Sequence, residues 1–143
     1  MKYSYVVSGD DLSIAGKAST EVKKILARLG VPPDSIKRTA IAMYEGEMNM
    51  VIHAGGGRAD VDISPVGIEV ILADNGPGIP DIDLAMSEGY STAPEWIREQ
   101  GFGAGMGLPN MKRNADEFEI SSVVGSGTRI RLLIRLANSS QPV

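Results

Sequence analysis

The chain has 143 residues, 43% of them hydrophobic, which is enough to close one core without covalent staples. Its 14 basic and 18 acidic residues leave a formal net charge of -4, which argues against the basic footprint of a nucleic-acid binder. Cysteine is absent, so disulfide scaffolds and thiolate metal sites are excluded.

In chain order, Tyr3, Tyr5 and Val7 alternate with smaller or polar residues and predict a strand over 2–8. Gly9-Asp10-Asp11 offers a turn and a helix cap. Ala15, Ala18, Val22, Ile25, Leu26 and Leu29 then carry helical spacing over 12–29, with Gly30 placed for a left-handed C-terminal cap. Residues 35–54 read as a second helix, stopped by Gly55-Gly56-Gly57. Two strands, 58–64 and 68–73, flank Pro65-Val66-Gly67 and predict a hairpin. A short helix is expected over 81–88. Residues 89–107 form a long glycine-rich segment of the kind that covers a ligand. A helix over 108–117 and a second hairpin, 118–124 with 128–136 around Gly125-Ser126-Gly127, complete the domain. The polar tail 138–143 is expected to fray. Hairpins dominate this order, so the fold class is an α/β two-layer sandwich: a mixed, largely antiparallel sheet with helices on one face. No apolar signal core follows Met1 and no stretch is long enough to span a membrane, so the expected compartment is the cytoplasm, with no membrane partner.

Four motifs carry the chemistry. Glu45, Asn49 and His53 stand four apart and share one helix face, with Ile41, Met48 and Ile52 left to the core. A carboxylate and an amide one turn apart suit a hydrated magnesium ion and a proton acceptor, although a polar stripe alone reads equally as a solvated helix face. Glu47 is placed on the surface, and His53 is read as a helix-end residue satisfied by backbone rather than a catalyst. Asp74 ends a strand ahead of Asn75-Gly76-Pro77-Gly78-Ile79-Pro80, so its carboxylate can accept from an exocyclic amine, while the two glycines let a flat base approach. A plain Asp-Asn-Gly turn is the alternative. Gly101, Gly103, Gly105 and Gly107 alternate ahead of a helix start, a pattern that turns amides toward an anion. It matches neither the dinucleotide fingerprint nor a Walker loop. Gly125-Ser126-Gly127-Thr128 is most simply a hairpin turn and by itself says nothing about a ligand, although Thr128, entering the strand, could donate to or accept from a base.

Taken together and in this order, the motifs resemble the ATP-binding (Bergerat, or GHKL) fold of gyrase, the Hsp90 chaperone, histidine kinases and MutL. Within it, Gly-Phe-Gly-Ala-Gly-Met-Gly-Leu-Pro over 101–109, with Lys112-Arg113 and Asp116-Glu117-Phe118, is similar to the bacterial anti-sigma-factor and stress-response switch serine kinases. The resemblance spans about Tyr3 to Leu136 and implies one kinase domain over 1–137 that uses ATP and Mg2+. It implies Glu45 as general base and Asn49 as the magnesium ligand. Asp74 would read the adenine amine, with Gly76, Gly78 and Ile79 beside it and Thr128 at the adenine side. Gly103, Ala104, Gly105, Met106, Gly107 and Leu108 would cover the phosphates, with Arg98 approaching the terminal one and Trp96 inside the same segment. The implied partner is a STAS-domain protein of the anti-anti-sigma type, with a sigma factor or a phosphatase as further partners and a homodimer as an assembly. A non-enzymatic module that binds ATP and sequesters its partner is the alternative.

Overall fold

The computed structural model describes residues 1–9, 15–87 and 107–136. Five strands form one sheet in the order β1-β2-β3-β5-β4: β1 (Lys2–Ser8), β2 (Gly56–Ile63), β3 (Gly67–Asp74), β4 (Glu117–Val123) and β5 (Gly127–Arg135). Every pairing in it is antiparallel, so the expected antiparallel character extends to the whole sheet. The helices, α1 (Lys17–Arg28), α2 (Pro33–Ala54), α3 (Ile82–Ala85) and α4 (Gly107–Asn114), give the two-layer arrangement.

Period-two burial fixes which face is covered. Ala59, Val61 and Ile63 of β2 align with Leu72, Val70 and Ile68 of β3, and those with Ile130, Leu132 and Ile134 of β5. All nine are buried on the helix side. The opposite face carries charge: Arg131 pairs with Glu69 at 2.7 Å and Glu117 at 3.3 Å across three strands.

The long helix α2 is the spine of the helical layer, touching β1, β2, β3 and β5 as well as α1 and α4. Its core face is Ala42, Met43, Gly46 and Met50; Met48 is also buried. Ile41 and Ile52, assigned to the core from spacing, are only half-buried, because the sheet meets the helix on the phase set by Met43 and Met50. Gly55, left-handed at φ 71°, ends α2, and Gly30, at φ 74°, follows α1 as expected. At its start, α1 departs from expectation. It begins at Lys17 rather than residue 12, because Gly16 sits at φ 93° immediately before it. The expected cap at Asp10-Asp11 lies outside the described residues.

Candidate nucleotide site

The site gathers at the ends of the three strands β3, β5 and β4. In register, Asp74 stands opposite Thr128, and Thr128 opposite Ser122, so all three side chains face the helical layer in one row. Asp74 Oδ1 accepts from the Gly76 amide at 3.0 Å and the Thr128 amide at 3.2 Å, which fixes the carboxylate in place. The backbone crowds in around it. A Cβ at position 127 would lie 2.0 Å from the Asp74 carbonyl oxygen, and Gly127 also has φ 131°, so only glycine fits. One at position 76 would lie 2.6 Å from the Ala54 Cβ at the end of α2.

The turn after Asp74 is pinned onto the second hairpin. The Gly125 amide donates to the Pro77 carbonyl at 2.8 Å, and the Ile79 amide to Ser122 Oγ at 2.7 Å. Ser122 Oγ in turn donates to the Gly127 carbonyl at 3.0 Å and lies 2.9 Å from Thr128 Oγ1. Gly76 and Thr128 are thus brought to Asp74, while Gly78 and Ile79 are held against the second hairpin at Val123 and Ser122.

The helix α2 connects this end to a second one. Its last turn meets the Asp74 end: Ala54 lies against Gly76, and the imidazole of His53 feels Asp74. Burial pulls His53 below the usual histidine range and the Asp74 carboxylate pushes it back up. Two turns earlier, Glu45 meets α4. Its Oε2 lies 3.3 Å from where a Cβ on Gly107 would sit, and its carboxylate is hydrogen-bonded by the Asn110 side chain. Burial pushes Glu45 above the usual carboxylate range, and the Asn110 bond draws it partly back. Asn49 is half-buried on the helix between these ends. Leu108, in the first turn of α4, has its side chain buried in the core.

Several residues that build this site were missed from sequence. Asn110 grips Glu45, and its Oδ1 is held at 2.8 Å by Arg113. Arg38 anchors the far end of α4, donating to the Asn114 carbonyl at 3.1 Å and pairing with Asp116 at 3.0 Å. Glu47, assigned to the surface, is the reverse: it is 1% exposed and accepts from the Gly16, Ala18 and Ser19 amides at 2.9, 3.2 and 2.6 Å. The spacing did carry a signal, since Met43 and Met50, four before and three after, are both buried. Gly103, Ala104, Gly105, Met106, Trp96 and Arg98 lie outside the described residues. Among the described residues, no three His, Cys, Asp or Glu side chains cluster as metal ligands, and no helix is long and apolar enough to cross a membrane.

An antiparallel sheet covered on one side by helices, with a strand-end aspartate and a long helix bearing Glu45 and Asn49, defines an ATP-binding domain of the class expected from the motifs. The profile described as histidine kinase-, DNA gyrase B- and HSP90-like ATPase matches residues 36–138. The chain is 35% identical over 115 residues to the serine/threonine-protein kinase RsbT of Bacillus subtilis, covering 78% of this chain and 80% of that one. It is 34% identical over 122 residues to an anti-sigma F factor of Caldanaerobacter subterraneus, covering 80% of each. Two solved structures share the fold. They are the RsbU and RsbW domains of a Mycobacterium tuberculosis protein (TM-score 0.65, 16% identity, 95% of this chain and 32% of that one) and the SiaB–SiaC complex of Pseudomonas aeruginosa (TM-score 0.63, 12% identity, 92% and 88%). The chain belongs to the histidine kinase-, DNA gyrase B- and HSP90-like ATPase family, in its branch of serine/threonine-protein kinases and anti-sigma factors.

Proposed function

We propose that this kinase phosphorylates a serine on a STAS-domain partner within a partner-switching system in the cytoplasm, with Glu45 as general base and Asn49 as ligand to Mg2+. The observation that carries the reading is the state of Glu45. It is a half-buried carboxylate, raised above its usual range by burial and held by Asn110 beside the first residue of α4. A carboxylate poised in this way suits proton acceptance from an incoming hydroxyl. A pure binding module has no use for it. The sequestering alternative rests on the relatives named anti-sigma factors, which could equally bind a partner without transfer.

The residues present fit a nucleotide. Asp74 offers an acceptor at the base end, and the crowding at Gly76 and Gly127 shows that this end admits no further side chains. At the phosphate end, Gly107 opens α4, whose dipole favours an anion at this end. The alternating glycines 103–105 and Met106 are assigned to the phosphates on their sequence. Magnesium, when bound, neutralises phosphate charge. An ion held by Asn49 with phosphate and water oxygens needs no cluster of acidic side chains. Asn49 holds the metal side, Glu45 orients and deprotonates the acceptor hydroxyl, and α2 keeps both at a fixed separation of one helical turn. Positioning of this kind carries most of phosphoryl transfer.

Incubation with labelled Mg-ATP and a STAS-domain protein encoded beside this chain is expected to place label on a serine of that neighbour. Tight association with no label would favour sequestration instead. Replacing Asn49 by Ala is expected to weaken ATP binding in the presence of magnesium by at least tenfold, and far less in EDTA. A calorimetric titration with equal losses in both conditions would remove Asn49 from the metal.

A further inference from the structure

The helix α4 has eight residues, too few to hold itself in water, so its place depends on what grips it. Leu108 and Met111 bury it against the core, but apolar contact has no direction and does not fix where along α2 the helix stops. Directional grips come from α2. Arg38 and Glu45 stand seven residues apart there, two turns along one face and about 10 Å apart on the axis. Gly107 and Asn114 bound α4 at the same spacing. Glu45 meets the first of them and Arg38 the last, so α4 runs against α2 with one grip at each end.

At the far end the Arg38 guanidinium forks. Its Nε donates at 3.1 Å to the Asn114 carbonyl, one of the last carbonyls of α4, which lack partners within the helix. Its Nη2 pairs with Asp116 Oδ1 at 3.0 Å. Asp116 is itself sewn to β5: its Oδ2 accepts from the Arg135 amide at 2.7 Å, and its own amide donates to the Leu133 carbonyl at 2.8 Å. From this fixed point a line of bonds runs back along α4. Asn114 Nδ2 donates to the Asn110 carbonyl at 2.9 Å, Arg113 donates to Asn110 Oδ1 at 2.8 Å, and the Asn110 side chain bonds Glu45.

We infer that Arg38 is a positioning residue for phosphoryl transfer: by locking the end of α4 to α2 and, through Asp116, to β5, it sets the register that presents Asn110 and Gly107 to Glu45. The inference rests on the proposed reading of Glu45 as the base. Lysine cannot replace this fork, because a point-like ammonium does not span a carbonyl and a carboxylate in one rigid plane.

The test uses the full chain with Mg-ATP and the neighbouring STAS-domain protein. Arg38→Lys keeps the charge and Asp116→Asn keeps the shape, and melting confirms that each is folded. In both, transfer at saturating ATP is expected to slow by on the order of tenfold, since small misplacements of catalytic groups are costly. The acid limb of the rate is expected to move to higher pH, as in Asn110→Ala. Combining Arg38→Lys with Asn110→Ala is expected to move it no further, because both changes break one line to Glu45. An acid limb unmoved in Arg38→Lys, or shifts that add in the double variant, would make the fork a contact of the fold only and overturn the inference alone. Wild-type transfer in Glu45→Gln would overturn the base reading and this inference with it.

Discussion

Replacing Glu45 by Gln is expected to slow phosphoryl transfer by on the order of a hundredfold or more while leaving ATP affinity within a few-fold of wild type. The amide keeps the shape of the side chain and can still accept from Asn110, so the site stays formed and only the proton acceptor is lost. The stability change should run the other way. Burial raises the folded-state pKa of Glu45 above its unfolded value. Such a group favours folding when protonated, below the unfolded value, and that contribution is lost as pH rises through the folded value. At neutral pH the ionised carboxylate is therefore a cost, and Gln removes it. The variant should melt no lower than wild type at pH 7, and the two should converge in acid. Single-turnover transfer and thermal melting on the same preparation check both halves. Wild-type transfer rates would remove Glu45 from the chemistry.

The same shift sets the pH profile. If Glu45 is the base, as proposed, transfer needs it ionised, and the rate at saturating ATP should begin to fall at a pH above the range of a free glutamate. In Asn110→Ala the hydrogen bond that draws Glu45 back down is gone. The acid limb is then expected to move to higher pH, with little change at alkaline pH. A limb that stays in place would mean that Asn110 has no electrical hold on the base.

Local periodicity carried most of the fold in this chain. Both hairpins, the long helix and the glycine stops at 30 and 55 follow from spacing and turn chemistry, which act between residues close in sequence. The ordered motifs marked Asp74, Gly76, Gly78, Ile79 and Thr128; the structure sets Gly76 and Thr128 on the Asp74 carboxylate and ties Gly78 and Ile79 to the neighbouring hairpin. What stayed hidden depends on partners far along the chain. Ser122 gains its role from a residue facing it across β4 and β5, and from Ile79, more than forty positions away. Asn110 acquires its role only when α4 lies against α2. The misplaced start of α1 has a similar origin. Its true boundary is a left-handed glycine whose amide is satisfied by another helix.

That helix supplies Glu47, and Glu47→Ala is expected to destabilise the protein by about 3–5 kcal/mol, the range for removing one partner from a buried, charge-assisted network. α1 has no capping side chain of its own and no acidic residue in its first turn. The carboxylate reaching over from α2 does that work. It takes three amides at the start of α1, where the helix dipole also favours negative charge. Without it those donors stay buried and unmet, since water has little access to a site that is 1% exposed. Glu47→Gln should cost less, because one amide oxygen still accepts, but its NH2 group faces donors and repels them. The consequence reaches function through geometry. Glu47 sits two residues from Glu45 on α2, so loosening α1 removes support from the helix that carries the proposed base. Equilibrium denaturation should show the loss for Ala, a smaller one for Gln, and a transfer rate in the surviving folded fraction that falls more than ATP affinity does. An Ala variant within about 1 kcal/mol of wild type would mean that α1 finds its cap elsewhere, and the tie between the two helices would not hold.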